Sequence, residues 1–431
     1  MKIAFCTLGC KVNQYDTQAM RELFEQAGYE VAEFDETADI YLINTCTVTA
    51  TGDKKSRQMV ARAHAKNPNA KVIVAGCYSQ RAPQEVCRLP GVNLVIGTKD
   101  RKKIVELVEG LREGGAAVSA VGELRGETAF ETLSATRENR TRAQLKIQEG
   151  CDRYCAYCII PYARGPLRSR APQDIHCEIE RLAAGGYCEV VLTGIHLMSY
   201  GKDLGDGIDL LSAIAQAESV PGIRRIRLSS LEPQLLSNEF VQTLAGSPKV
   251  CRQFHLSLQS GSPTVLRRMN RRYTPEEYAQ CVQALRKAMP GCAITTDVIV
   301  GFPGESEAEF EETLEFVRRM ELARIHVFPY SRREGTAAYA MAGQLPRAVK
   351  AARAKRLIEA AAALEQAYVA SLVGTRQAVL LEEMEEGCAA GYTDTYVRVR
   401  VPNGGERLLG GIVPVVIQQA QGAHLLGNIE Q

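Results

Sequence analysis

Six cysteines stand where thiolate chemistry would need them. Cys151, Cys155 and Cys158 follow one another as C-x3-C-x2-C within GCDRYCAYCIIPYARG. Three thiolates so close in sequence can wrap one corner of a cubane iron–sulfur cluster, leaving the fourth iron without a protein ligand. An iron with an open position is a place for chemistry, as an open position is on catalytic zinc. A zinc reading needs a fourth Cys or His at short spacing; the nearest later histidine, His176, lies 18 residues on, in an expected helix. Chance spacing in a cysteine-rich chain is the bland alternative. A second set is scattered: Cys10 in TLGCKVNQYD, Cys46 in INTCTVTA and Cys77 in VAGCYSQ. Each falls close to the end of an expected parallel strand, and the carboxyl ends of such strands gather at one edge of an open α/β sheet, where ligands bind. Two of the three follow Gly, which lets the backbone come close. The competing reading is three small buried hydrophobes, a common fate of free cysteine.

The elements that must position these residues follow from periodicity. KIAFCTL (2–8), DIYLINT (39–45), AKVIVAG (70–76) and NLVIG (93–97) read as buried parallel strands, with helical spacing at 14–27, 50–66 and 79–88 between them. That alternation predicts an open α/β domain over 1–112. Residues 113–136 lose the periodicity and read as a linker. A second series over 137–369 carries strands at 143–149, 188–193, 224–229, 253–258, 294–300 and 324–329, with helices at 172–185, 208–219, 233–246, 275–289 and 306–321. Six βα-like units are two short of a full (β/α)₈ barrel, so an open partial (β/α)₆ barrel is expected. Residues 347–370 form an Ala-rich helical connector. From 370 on, runs such as YVRVRVP and GGIVPVVI between Gly pairs predict a small all-β barrel. The fold class is therefore α/β, closed by a small all-β domain.

Composition narrows the setting. The chain has 431 residues, 45% hydrophobic and 24% charged, and 52 Lys plus Arg against 50 Asp plus Glu leave a net charge of +2. Any polyanion-binding surface must therefore be local. The amino terminus has no signal-peptide pattern and no run suits a membrane span, so a cytoplasmic chain with reduced thiols is expected. There, 14 Cys point to metal binding or catalysis before disulfides.

The triad after a first barrel strand resembles the radical S-adenosylmethionine (SAM) superfamily. Together with GCKVNQYD, NTC, AGC, YCIIPYARGPLRSR, LSSLEP, HLSLQSG and TTDVIVGFPGE, the chain resembles the methylthiotransferases from end to end. TLGCKVNQYDTQ and LTGIHLMSYG look most like the branch that adds methylthio at C2 of N6-threonylcarbamoyladenosine in tRNA. The resemblance implies two [4Fe-4S] clusters, an auxiliary one on Cys10, Cys46 and Cys77 and a SAM-cleaving one on Cys151, Cys155 and Cys158. It also implies a last domain like TRAM, an OB-like RNA-binding barrel. The expected partners are the tRNA anticodon loop and an electron donor such as flavodoxin or ferredoxin, with no membrane. Isopentenyladenosine-37 and a ribosomal-protein aspartate are alternative substrates; a non-catalytic iron–sulfur RNA-binding module is the alternative of another class.

If the partial barrel is right, its strand ends carry the SAM site. Thr193, Gly194, Ser230, Glu232, Ser257, Gln259 and Gly301 stand there, and Tyr157 resembles the aromatic that the superfamily places near adenine. His196, in TGIH, is expected to face the substrate or to be a structural histidine. Eight Arg and Lys against three acids in 137–170, the Arg267–Arg272 cluster and the connector stripe suggest phosphate contacts. Arg164, Arg168, Arg170, Arg353, Arg398 and Arg400 are the candidates, with Tyr392 or Tyr396 stacking on bases. Residues 370–431, however, hold four Arg against seven acids, which departs from an electrostatic platform.

Overall fold

Aliphatic residues run almost unbroken through IYLINT and KVIVAG, the composition of strands buried on both faces. The computed structural model describes residues 1–112, 114–135, 141–205 and 207–430. In it, β1 (Lys2–Thr7), β2 (Glu30–Ala32), β3 (Ile40–Thr45), β4 (Lys71–Gly76), β5 (Val92–Ile96) and β6 (Val118–Ala120) form one parallel sheet in the order β2-β1-β3-β4-β5-β6. The short edge strands β2 and β6 carry too little pattern to be read from sequence. The helix expected over 79–88 is divided at Ala82 into Cys77–Arg81 and Pro83–Cys87, because Pro83 has no N–H to continue the first helix and suits the start of a second. Residues 113–136 are no bare linker: β6 extends the sheet, and Leu124, Leu133 and Ala135 are buried. Arg137 and Arg140 of the expected basic cluster lie outside the described residues.

The second series contains β7 (Arg142–Glu149), β8 (Arg168–Ser169), β9 (Glu189–Gly194), β10 (Arg225–Leu228), β11 (Gln253–His255), β12 (Ala293–Val300) and β13 (Arg324–Pro329). Two hydrogen-bonded groups, β10-β9-β7-β8 and β11-β12-β13, are joined by bridges at Ile226↔Val250 and Leu231↔Leu256. Only β8 runs antiparallel. Six parallel strands thus make the expected open partial barrel. Outside it, Thr274 and Ser306 close capping boxes with Glu277 and Glu309 on helices Pro275–Ala288 and Glu307–Met320. Their apolar faces, with Tyr278, Val282, Phe310 and Leu314, join the main core beneath the strands.

Helix Arg347–Ser371 leads to a closed barrel of β14 (Arg376–Glu385), β15 (Cys388–Thr393), β16 (Arg398–Val401), β17 (Ile412–Gln421) and β18 (His424–Ile429). Val399 and Val401 fill its interior. It docks on the central domain through arginines: Arg225 donates to the carbonyls of Tyr392 and Ala378, and Arg227 to those of Asp394 and Thr393. No described helix is long and apolar enough to cross a membrane.

Candidate active site

The scattered cysteines converge because β1, β3 and β4 are neighbours in the sheet. Cys10 immediately precedes helix Lys11–Gln26, Cys46 directly follows β3, and Cys77 opens the helix after β4. Gly9 and Gly76 adopt φ of 104° and 94°. A Cβ on Gly9 would sit 2.9 Å from the Cys46 Cβ, and one on Gly76 2.3 Å from Asn44 Oδ1, so only glycine allows these loops to meet. Asn13 fastens them, its amide donating to the carbonyls of Leu8 (2.7 Å) and Thr45 (2.9 Å), while the Asn44 amide donates to the Asn13 carbonyl (2.9 Å). Burial pushes the Cys77 thiol up to about 12, and the neighbouring Cys10 and Cys46 sulfurs add to the rise. A thiol held that high is a poor free nucleophile; bound metal charge would deprotonate it outright.

Arg164, fully buried, reaches this triad from the central domain. Its Nε donates to Cys77 Sγ at 3.2 Å, its second terminal nitrogen bonds Asn13 Oδ1, and its first contacts Asp16 (2.9 Å) and Glu149 (3.0 Å). Lys146 and Arg101 also bond Asp16, so cations and carboxylates from both domains form one buried network. Exposed pairs such as Arg356–Glu311 are screened by solvent and contribute little. Removing one partner of a buried network costs roughly 3–5 kcal/mol, because the others stay buried without compensation. Arg164→Leu is therefore expected to lower the unfolding free energy by that amount, read as a lower denaturant midpoint at unchanged m-value; a loss under about 1 kcal/mol would refute the assignment. Burial raises the Glu149 carboxyl, but Arg164 and Lys146 more than reverse this and hold it at about 2, below its ordinary 4.5. Its contribution to stability is thus complete above pH 4.5 and lost as pH falls through about 2.

The second triad occupies the loop after β7. The Ala156 N–H donates to the Met269 carbonyl (2.9 Å), and the Asn270 amide donates to the Tyr154 carbonyl (2.9 Å). Next along that strap, Arg271 donates to Cys155 Sγ at 3.2 Å and pairs with Glu232 Oε1 at 3.1 Å. Glu232 also meets Arg153 Nε (3.1 Å) and His196 Nε2 (2.6 Å). Burial raises its carboxyl, but the bonded His196 and the charge of Arg271 outweigh that and hold it at about 2. Burial pushes the Cys158 thiol up to about 12 and that of Cys151 to about 11, each raised further by Cys155.

The second triad and Cys10 of the first open on one cavity of about 690 Å³. Its lining includes Cys10 from the first domain, Cys151, Cys155 and Cys158 from the second, and Tyr396 from the third. Tyr157, Thr193, Gly194, Ser230, Glu232 and Ser257 line it as well. Gln259 and Gly301 do not. Gln259 turns at φ 67° to bond β12 through its backbone, and Gly301 is covered by the Lys350 stem. His196 faces the cavity with both ring nitrogens engaged, Nδ1 with Ser199 (2.7 Å) and Nε2 with Glu232.

The expected phosphate contacts need correction. Arg164, Arg168, Arg170 and Arg353 are buried. Arg168 donates to the Arg164 carbonyl, Arg170 to Tyr15, and Arg353 to Glu305 and Glu307. None presents a guanidinium to RNA. Arg398 is paired with Glu383 and Glu385, and Arg400 with Glu386, so the acidic run answers the arginines of β16. Tyr392 and Tyr396 stack on each other at 5.0 Å, with Arg142 over both rings. Arg271, sequence-read as part of a basic patch, is instead the partner of a site thiol.

The donor sets fit clusters better than single ions. Among the described residues, the one group of three candidate ligand atoms lying within 4.8 Å of one another is His255, Asp297 and His326. Neither thiol triad is so tight, yet within each the sulfurs perturb one another's protonation. A cubane takes each cysteine on a different iron.

Two families match the chain: an uncharacterized protein family, UPF0004, over residues 2–97, and the radical SAM superfamily over 145–317. The threonylcarbamoyladenosine tRNA methylthiotransferase MtaB of Bacillus subtilis is 44% identical over 97% of this chain and 94% of its own length. A tRNA-2-methylthio-N(6)-dimethylallyladenosine synthase of Moorella thermoacetica is 37% identical over 98% of this chain and 97% of its own. In fold, the chain is similar to TsrM, a radical SAM methyltransferase of Kitasatospora setae, with a TM-score of 0.54, 16% identity and coverage of 76% and 72% of the two chains. A cavity lined by Cys10 of one cysteine triad and by all three cysteines of the other, on a chain matching these relatives nearly end to end, places the protein in the radical SAM methylthiotransferase family.

Proposed function

We propose that the protein transfers a methylthio group to C2 of N6-threonylcarbamoyladenosine at position 37 of tRNA, using two [4Fe-4S] clusters and two SAM per turnover. The observation that carries this reading is the single cavity lined by Cys10 and by Cys151, Cys155 and Cys158: two cofactors on separate domains can meet one substrate there. When bound, the clusters and SAM supply the electron, the hydrogen-abstracting radical and the methylated sulfur, chemistry that belongs to the cofactors.

The chain's own residues hold and orient. Cys10, Cys46 and Cys77 hold the auxiliary cluster, and Cys151, Cys155 and Cys158 the SAM-cleaving one. Arg271 fixes Cys155 through its sulfur lone pair and Glu232 through a carboxylate oxygen, so the thiolate loop and the acid move as one unit. Glu232 stays ionised at any working pH and offers an acceptor to the ammonium or ribose hydroxyls of SAM. His196 acts through Glu232 as a positioning residue. Thr193, Ser230 and Ser257 give the adjoining wall small polar groups, and Tyr157 an aromatic one. An anticodon-loop adenine is already unpaired, so bringing C2 into the cavity costs little unstacking. The TRAM-like barrel guides the tRNA by shape more than by net charge. An electron donor such as flavodoxin or ferredoxin and a cytoplasmic setting complete the proposal.

Reconstituted enzyme, SAM and reductant should convert threonylcarbamoyladenosine in tRNA to its 2-methylthio form, read by mass analysis of the nucleosides. Gain of mass only on dimethylallyladenosine, or only on a ribosomal-protein aspartate, would overturn the substrate assignment.

A further inference from the structure

One wall of the cavity has a pattern that a packed barrel does not need. Side chains alternate across a strand, and the inward positions of a barrel are normally bulky and apolar. Here six positions on one face of three adjacent strands are polar, Gln253 and His255 on β11, Thr295 and Asp297 on β12, Arg324 and His326 on β13, and the same face turns apolar at Ala293, Ile299 and Phe328. All six line the cavity. The register aligns them in two rows, His255↔Thr295↔Arg324 and Asp297↔His326. Outward neighbours Phe254, Ile294, Val298 and Ile325 are core residues, so the alternation separates two purposes.

The hydrogen bonds along this wall leave specific groups free for a ligand. The Gln253 amide donates to Thr295 Oγ1 (3.0 Å), which also meets His255 Nδ1 (3.1 Å). That pair fixes the His255 ring, and its Nε2 faces Asp297 Oδ2 at 3.3 Å. Arg324 has one ion pair among the described residues, through Nε to Glu365 at 3.6 Å, and its side chain is half exposed. Its terminal nitrogens thus keep the planar fork that suits a carboxylate.

We infer that this wall is a subsite for a carboxylate- and hydroxyl-bearing substituent on the substrate base, with Arg324 and His326 taking the carboxylate and the His255–Asp297 pair the hydroxyl and N–H groups. The inference rests on the proposed function: a threonylcarbamoyl arm carries those groups, whereas a dimethylallyl arm carries none. The wall begins inside the cavity that holds the second cysteine triad and runs toward the third domain, whose Tyr396 also lines it. An adenine with C2 at the cysteine end would find room there for its N6 substituent. A cation is the competing occupant of His255, Asp297 and His326, which lie close enough to share one. Arg324 disfavours it, because this fixed positive charge stands two residues from His326 on the same face, where it would repel a metal and attract an anion.

The test uses the reconstituted enzyme and three anticodon stem-loops that differ only at the target base: threonylcarbamoyladenosine, dimethylallyladenosine and plain adenosine. Wild-type enzyme should bind the threonylcarbamoyl RNA roughly 10- to 100-fold tighter than the adenosine RNA, the range for hydrogen bonds to a charged group. Arg324→Gln and His326→Phe should each erase most of that preference, while affinity for the adenosine RNA changes less than about twofold. Equal losses on all three RNAs, or a preference that survives both substitutions, would overturn the inference. So would a bound divalent ion beyond the cluster irons that disappears in His326→Phe. If threonylcarbamoyl RNA is methylthiolated without preferential binding, the subsite fails and the proposed function stands. If that RNA gains no methylthio group at all, the proposed function itself fails.

Discussion

Cys155→Ala is expected to reduce formation of 5′-deoxyadenosine from SAM by more than roughly 100-fold, since losing even an outer partner of a metal ligand typically costs 10- to 100-fold. The residue is singled out by its surroundings. Its sulfur accepts from Arg271, which also clamps Glu232, so removing the thiol would take away the proposed cluster ligand and free the clamp together. Methylthiolation should fall with cleavage, because the same loop serves both. Arg271→Gln separates the two contributions. With all three thiols retained, it should lose no more than the outer-partner range, and iron bound at this triad should remain. SAM cleavage persisting in Cys155→Ala would remove this triad from the reaction.

Cys46→Ala is expected to do the opposite. The residue sits directly after β3 in the first domain, and the thiol that perturbs it is Cys10 of its own triad. Cleavage of SAM should continue within about twofold of wild type, while methylthio-nucleoside falls to background, a loss of more than roughly 100-fold on the same scale. This separation is sharper than Cys77→Ala would give, because Cys77 is bonded by Arg164, and disturbing that arginine perturbs the buried network between domains. Full methylthio transfer by Cys46→Ala would mean that the sulfur comes from elsewhere.

What could be seen in the sequence divides along range. The cysteine triads are local signals: one is a spacing, and the other marks three strand ends whose neighbouring order follows from βα alternation. Long aliphatic strands were legible for the same reason, while β2, β6 and β8, two or three residues each, were not. The residues that hold the site act across long separations. Arg271 is 116 residues from Cys155, and Arg164 is 87 from Cys77. Charge counting failed because it treats every arginine as solvated. Arg164, Arg170 and Arg353 are instead buried with carboxylates that sequence proximity does not reveal. Asn13 lay inside a motif that was read for its cysteine, and only the fold shows it tying two loops together.

Two separate triads, each proposed to carry one cluster, share a cavity through Cys10 and the second triad. Iron and sulfide content with Mössbauer spectra, taken on anaerobically reconstituted wild type, Cys10→Ala/Cys46→Ala/Cys77→Ala and Cys151→Ala/Cys155→Ala/Cys158→Ala, tests that division. Each triple variant should keep one [4Fe-4S] cluster, half the wild-type iron, with the remaining cluster perturbed by SAM only when Cys151, Cys155 and Cys158 are intact. Loss of both clusters from either variant, or full iron in either, would contradict the assignment of two independent sites.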